Sequence, residues 1–98
     1  MSARFLEEAE EEMHEAAAFY DRRTDGLGDR FLDDIQACVD RISEQPHMGR
    51  RVGEHFRVVL ARRFPSSVIY AVEEATIVIV AVAHQRRRPG YWRDRDAR

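Results

Sequence analysis

The stretch FRVVLARRFPSSVIYAVEEATIVIVAVAH, residues 56–84, decides the fold. It holds three runs with strand character. Phe56 to Arg63 sets Phe56, Val58 and Leu60 on one side and Arg57, Val59 and Ala61 on the other, the two-residue period of a strand. Ser67 to Val72 alternates Val68, Tyr70 and Val72 against Ile69 and Ala71. Thr76 to Ala83 is almost wholly apolar and rich in β-branched residues, which suits a central strand buried on both faces. Phe64-Pro65-Ser66 and Glu73-Glu74-Ala75 are too short to do more than turn the chain. Strands joined so closely pair as an antiparallel meander.

Upstream, the period changes from two to between three and four. From about Leu6 to Arg23, the residues Phe5, Ala9, Met13, Ala16, Ala17 and Tyr20 share one helical face. Glu7, Glu8, Glu10, Glu11, Glu12 and Glu15 take the other positions and read as a solvated face. Thr24 to Gly28 breaks this helix, and Asp25 is the expected N-cap of the next. Leu27, Phe31, Ile35, Cys38, Val39 and Ile42 then form a second stripe, ending near Gln45 because Pro46 disfavours helix in the residue before it. The short link makes an antiparallel helix hairpin. Pro46 to Glu54, with Gly49 and Gly53, reads as a loop, and Ser2 to Phe5 as either a first strand or a helix cap. The expected architecture is α+β: a helix hairpin packed on a small, mainly antiparallel sheet, in one domain spanning residues 1–98.

The chain has 98 residues, 44% of them hydrophobic, enough for one modest core. No apolar run approaches the ~20 residues that span a bilayer. The acidic N-terminus lacks the layout of a signal peptide, so a cytoplasmic location is expected. Cys38 has no second cysteine to pair with and, lying on the apolar stripe, reads as a buried structural thiol. His14, His47, His55 and His84 are dispersed, without zinc spacing. Neither a metal nor any other cofactor is expected.

The net charge of −2 conceals a polar division: residues 1–45 carry −8 and residues 46–98 carry +6. Every one of the 16 basic residues is arginine, whose planar guanidinium grips phosphate or carboxylate through paired hydrogen bonds. Arg50 and Arg51 precede the sheet, Arg57, Arg62 and Arg63 lie on or beside its first long strand, and Arg86, Arg87 and Arg88 follow its central strand. Gathered on one surface, these groups would hold a polyanion or an acidic partner. Tyr91 can stack on a base or join the core, and Trp92 is expected in the core. His84, at the end of a buried strand, reads first as a histidine whose hydrogen bond closes the sheet end, and second as a proton carrier.

The order of elements, with Arg62-Arg63-Phe64-Pro65, the Ile69-Tyr70 strand, and Ala81-Val82-Ala83-His84 running into Arg86-Arg87-Arg88-Pro89-Gly90-Tyr91-Trp92, resembles the RelE/ParE superfamily of bacterial type II toxins (plasmid stabilisation proteins). The resemblance implies a toxin held in a hetero-oligomer by a cognate antitoxin whose acidic side chains answer the arginines. It implies one of two actions on growth: RelE-like members cleave mRNA in the ribosome, and ParE-like members inhibit DNA gyrase without nuclease activity. The first is the expectation here, as a metal-independent endoribonuclease. The second is the alternative, with a non-toxic binding relative as a third. Carried over residue by residue, Arg57 falls on a basic strand position and Tyr91 on the C-terminal tyrosine of RelE-like enzymes, with His84 as the proton carrier. Val59, Ser67 and Gln85 stand where further basic residues are usual.

Overall fold

The computed structural model describes residues 1–95. In chain order these are β1 (Ser2–Phe5), α1 (Glu7–Arg23), α2 (Leu27–Glu44), β2 (Arg50–Val52), β3 (Phe56–Leu60), β4 (Ser66–Glu73) and β5 (Thr76–His84). The strands form one sheet in the order β1-β5-β4-β3-β2. All neighbours are antiparallel except β1 and β5, which run parallel with Ser2 opposite Thr76. The fold is thus the expected α+β arrangement. Ser2–Phe5 is a strand, and it displaces β5 from the edge to the second place, between β1 and β4 rather than at the centre, with Ile77, Val78, Ile79, Val80 and Ala81 all completely buried.

Both helices lie on one face. Val59, Val68 and Val82 are register partners and share that face. Cys38 of α2 contacts Val59, while α1 packs chiefly against β5. Phe31, Ile35, Cys38 and Ile42 of α2 are fully buried there, with Ala9 of α1. Tyr20, Phe31 and Phe64 close one end of this layer, Tyr20 and Phe31 each meeting Phe64 edge to face, Tyr20 with ring centres 4.8 Å from it. Glu7, Glu8 and Glu10 in the first turn of α1 and Arg22 and Arg23 in its last suit the helix dipole.

Three local expectations are corrected. Asp25 does not cap α2. Gly26 occupies that position in the left-handed region (φ 85°) with no side-chain cap, and Asp21 of α1 instead accepts from the Gly28 N–H at 2.7 Å. The turn is so short that it needs a positive φ, and the carboxylate at hand belongs to the preceding helix. The expected loop over Pro46 to Glu54 contains β2, a strand too short for its period to show. The first long strand ends at Leu60 rather than Arg63. There the buried Asp34 accepts from the backbone N–H groups of Arg63 (2.9 Å) and Phe64 (3.0 Å), drawing them out of the ladder.

The β4–β5 register contains a bulge. Ile69 faces Ala81 and Tyr70 faces Ile79, so Val80 has no opposite residue. On the other flank of β5 the ladder with β1 ends at Ile79, whose carbonyl accepts from Leu6 N.

Candidate functional site: an arginine groove on the open face of the sheet

The face away from the helices is only partly covered. Val58, Ile69, Ser67 and Ala83 lie on it, and the chain after β5 folds back across it. Trp92 is buried against Phe56, edge to face with ring centres 4.9 Å apart, as expected for a core tryptophan. Between this returning segment and the sheet runs a groove of about 390 Å³. Its floor is apolar (Val52, Val58, Ile69, Ala83), and its lining includes Arg50, Arg87, Arg88 and Arg93 with no aspartate or glutamate. Unopposed guanidinium groups over an apolar floor fit an acidic, partly apolar segment or a phosphate chain.

The arginines do not all converge. Arg50 and Arg51 are neighbours on a strand and so project to opposite faces. Arg51 lines a separate cleft of about 710 Å³ with His47, His55, Glu54, Glu73 and Arg57. Arg62 and Arg63 sit exposed on the β3–β4 loop, and Arg86 is exposed after β5. The single surface anticipated from sequence is therefore divided, with the carboxylate-free part formed by Arg50, Arg87, Arg88 and Arg93.

His84 and Tyr91 both line the groove, whereas Arg57 lies elsewhere. Arg57 pairs with Tyr70 and faces the helix side. Its Nη1 donates to the carbonyls of His47 and Gly49, both at 2.9 Å, while the Tyr70 hydroxyl donates to Pro46 O (2.7 Å) and accepts from Gly49 N (3.0 Å). The two side chains clamp the segment between α2 and β2. A Cβ on Gly49 would lie 2.7 Å from the Tyr70 oxygen. His84 faces Ser66 across the ladder, four residues along β4 from Tyr70, hence ~13 Å along the strands from the Arg57 position. It is exposed, and its Nδ1 accepts from the Arg86 N–H at 3.0 Å, which closes the sheet end.

Tyr91 lines the groove, but its hydroxyl donates to Glu12 Oε2 at 2.5 Å. The Arg87 guanidinium lies 4.0 Å from its ring centre and that of Arg95 lies 5.1 Å away. Burial, reinforced by the bond to the Glu12 carboxylate, pushes the phenol well above its ordinary pKa. Ser67 and Gln85 line the same groove. Of the positions where the resemblance leads one to look for basic catalytic groups, Ser67, Gln85 and Tyr91 meet here, carrying a hydroxyl, an amide and a phenol already committed to a carboxylate, while Arg57 and Val59 lie on the helix side of the sheet.

Two carboxylates organise the site: Glu12, which was expected on the solvated face of α1 but is largely buried, and Asp34, which sequence reading passed over. Glu12 accepts from Tyr91, from both terminal nitrogens of Arg95 (2.8 and 3.0 Å) and from the Val82 N–H (3.1 Å). Asp34 holds the loop bearing Arg62 and Arg63. The signal was spacing: Glu12 falls three after Ala9 and four before Ala16, and Asp34 three after Phe31 and four before Cys38, so each stands on an apolar stripe.

Among the described residues no group of three or more histidine, cysteine, aspartate or glutamate side chains is placed to hold a metal ion, and no helix is long and apolar enough to cross a membrane.

A family model described as the ParE toxin of the parDE type II toxin–antitoxin system matches residues 3–89. A solved structure titled "Chromosomal ParDE TA system from P. aeruginosa" is similar over 86% of this chain and 95% of that one, with a TM-score of 0.65 at 16% identity, a likeness of fold. No curated protein matches the sequence.

Proposed function

The chain belongs to the ParE toxin family of type II toxin–antitoxin systems, and on that premise we propose that it arrests growth in the cytoplasm by binding DNA gyrase, without cutting RNA. One observation supports this over ribosome-dependent cleavage. In the groove lined by Ser67, His84, Gln85 and Tyr91, the phenol is fixed as a donor to Glu12, one imidazole nitrogen is taken up by the Arg86 N–H, and Arg57 is absent. Cleavage of RNA by its own 2′-hydroxyl needs a base for that proton, an acid for the leaving 5′-oxygen and cations for the phosphorane. Arg57 faces the other side of the sheet with one nitrogen bonded to two carbonyls, and His84 stands apart from it. Arg50, Arg87, Arg88 and Arg93 form a surface for binding rather than for proton transfer.

A toxin of a type II system has an antitoxin partner. In this reading an acidic segment of the antitoxin lies along the same groove and covers it in the hetero-oligomer, ordering as it binds.

Purified toxin, freed of antitoxin, is tested in a gyrase supercoiling assay and, in parallel, for messenger cleavage on translating ribosomes. Inhibition of supercoiling with intact messenger is expected. Tyr91→Phe and His84→Ala should keep most of that inhibition, whereas Arg87→Glu with Arg88→Glu should abolish it. Cuts at ribosomal A-site codons that disappear in Tyr91→Phe would overturn the proposal.

A further inference from the structure

We propose that Glu12 is a latch: one carboxylate of α1 holds residues 88–95 as the outer wall of the arginine groove, and its loss lets that segment swing off the sheet. Gly90, Tyr91, Trp92 and Arg93 line one side of the groove. The backbone hydrogen bonds of this segment are local: Tyr91 N to Arg88 O, Arg93 N to Gly90 O, and Arg95 N to Trp92 O. Among the described residues, the hydrogen bonds that tie 88–95 to the rest of the fold come from the Tyr91 hydroxyl and the Arg95 guanidinium. All but one of them end on Glu12.

The remaining bond explains the latch's position. Beyond Ile79, the flank of β5 has no strand beside it, and the bulge leaves Val80 unopposed. Arg95 Nη1 donates to Val80 O at 3.0 Å, and Glu12 Oε1 accepts from Val82 N at 3.1 Å. The Glu12–Arg95 pair therefore occupies the place a strand would take, answering backbone groups that burial would otherwise leave unpaired. The two side chains are only 14% and 17% exposed, so the forked pair is shielded from water and salt. Taking away the carboxylate removes at once the charged partner of a shielded guanidinium, which keeps Val80 O, and the acceptor of a phenol and an amide. What then retains the segment is the single bond from Arg95 to Val80 O, the stacking of Arg87 on Tyr91 and the packing of Trp92 on Phe56. Opening would bare Val58, Ile69 and Ala83, so any ligand that reaches the groove floor competes with the closed wall.

The test reads the wall directly and uses no target, so its failure is separate from failure of the gyrase reading. Hydrogen exchange and Trp92 emission are compared in the full chain and in Glu12→Gln. The expected result is exchange faster by about tenfold or more at Arg93 and Arg95, with a red shift of the tryptophan, while β4 and β5 amides keep their protection. Glu12→Gln combined with Arg95→Gln should add little to either single change. Unchanged exchange at 91–95 would overturn the proposal. So would equal acceleration of every amide, since Glu12 would then support the fold as a whole. Should Glu12→Gln not fold, Tyr91→Phe removes one of the bonds alone; a local acceleration of about threefold is expected, and no local change refutes the latch.

Discussion

The buried carboxylate of Asp34 allows a sharp test of how the loop after β3 is held. Both backbone amides, Arg63 N at 2.9 Å and Phe64 N at 3.0 Å, converge on the same oxygen, Oδ2. Asp34→Ala removes both bonds. A hydrogen bond to a charged acceptor contributes roughly 1.5–3 kcal/mol, and these two lie partly open to water, so their joint loss should cost about 3 kcal/mol. For a domain of this size that is a fall in Tm of roughly 12–24 °C. Asp34→Asn is different because one oxygen serves both amides. With its Oδ1 in the Oδ2 position, asparagine retains both contacts and loses only the charge assistance, about 1 kcal/mol. Urea unfolding of the three proteins measures this, with an unchanged m-value confirming that the unfolded state is the same. Equal losses in the two variants, or a loss under ~1 kcal/mol in Asp34→Ala, would refute the single-oxygen account.

Two further outcomes follow from burial and close approach. Gly28→Ala, ordinarily favourable within a helix, should destabilise by about 1–3 kcal/mol in thermal melts, because the new Cβ would lie 2.4 Å from the Ala17 carbonyl oxygen and 2.7 Å from the Asp21 carboxylate. Burial pushes the Cys38 thiol up from 9.0 to about 11, despite the opposing pull of Arg41. The folded state thus holds that proton more tightly, so its contribution is complete below pH 9 and is lost as pH rises through 11. Stability should fall by about 2–3 kcal/mol across that window, and less in Cys38→Ala. Denaturation at stepped alkaline pH would disprove it if the two profiles had the same slope.

The parts of the fold that rest on repetition were legible in the sequence. The alternation in 66–73 and the unbroken apolar run of 76–84 identified two strands nearly to the residue, because burial repeats its demand at every second position or at every position. β2 was not legible, since three residues between two glycines contain no period. The end of β3 was misplaced because it is set by Asp34, 29 residues before Arg63. The site shows the same division. Arg50, Arg87, Arg88 and Tyr91 could be named as candidates from residue type, but which face each occupies follows from register. Glu12 was hidden among five other glutamates of α1, and its distinction, a place on the apolar stripe, could be given a partner only once Arg95 was seen folded back to it, 83 residues away in sequence.

The parallel pairing of β1 with β5 sets the timing of assembly. Ser2 lies opposite Thr76, a separation of 74 residues, so the first strand made has nothing to pair with until nearly the whole chain has left the ribosome. Such distant pairing is slow because the intervening chain must be ordered first. An emerging polypeptide therefore has neither a closed sheet nor the groove laid over it. The arginine surface is thus among the last features of the fold to come into being, because the order in which the strands are joined puts it off until β5 has emerged.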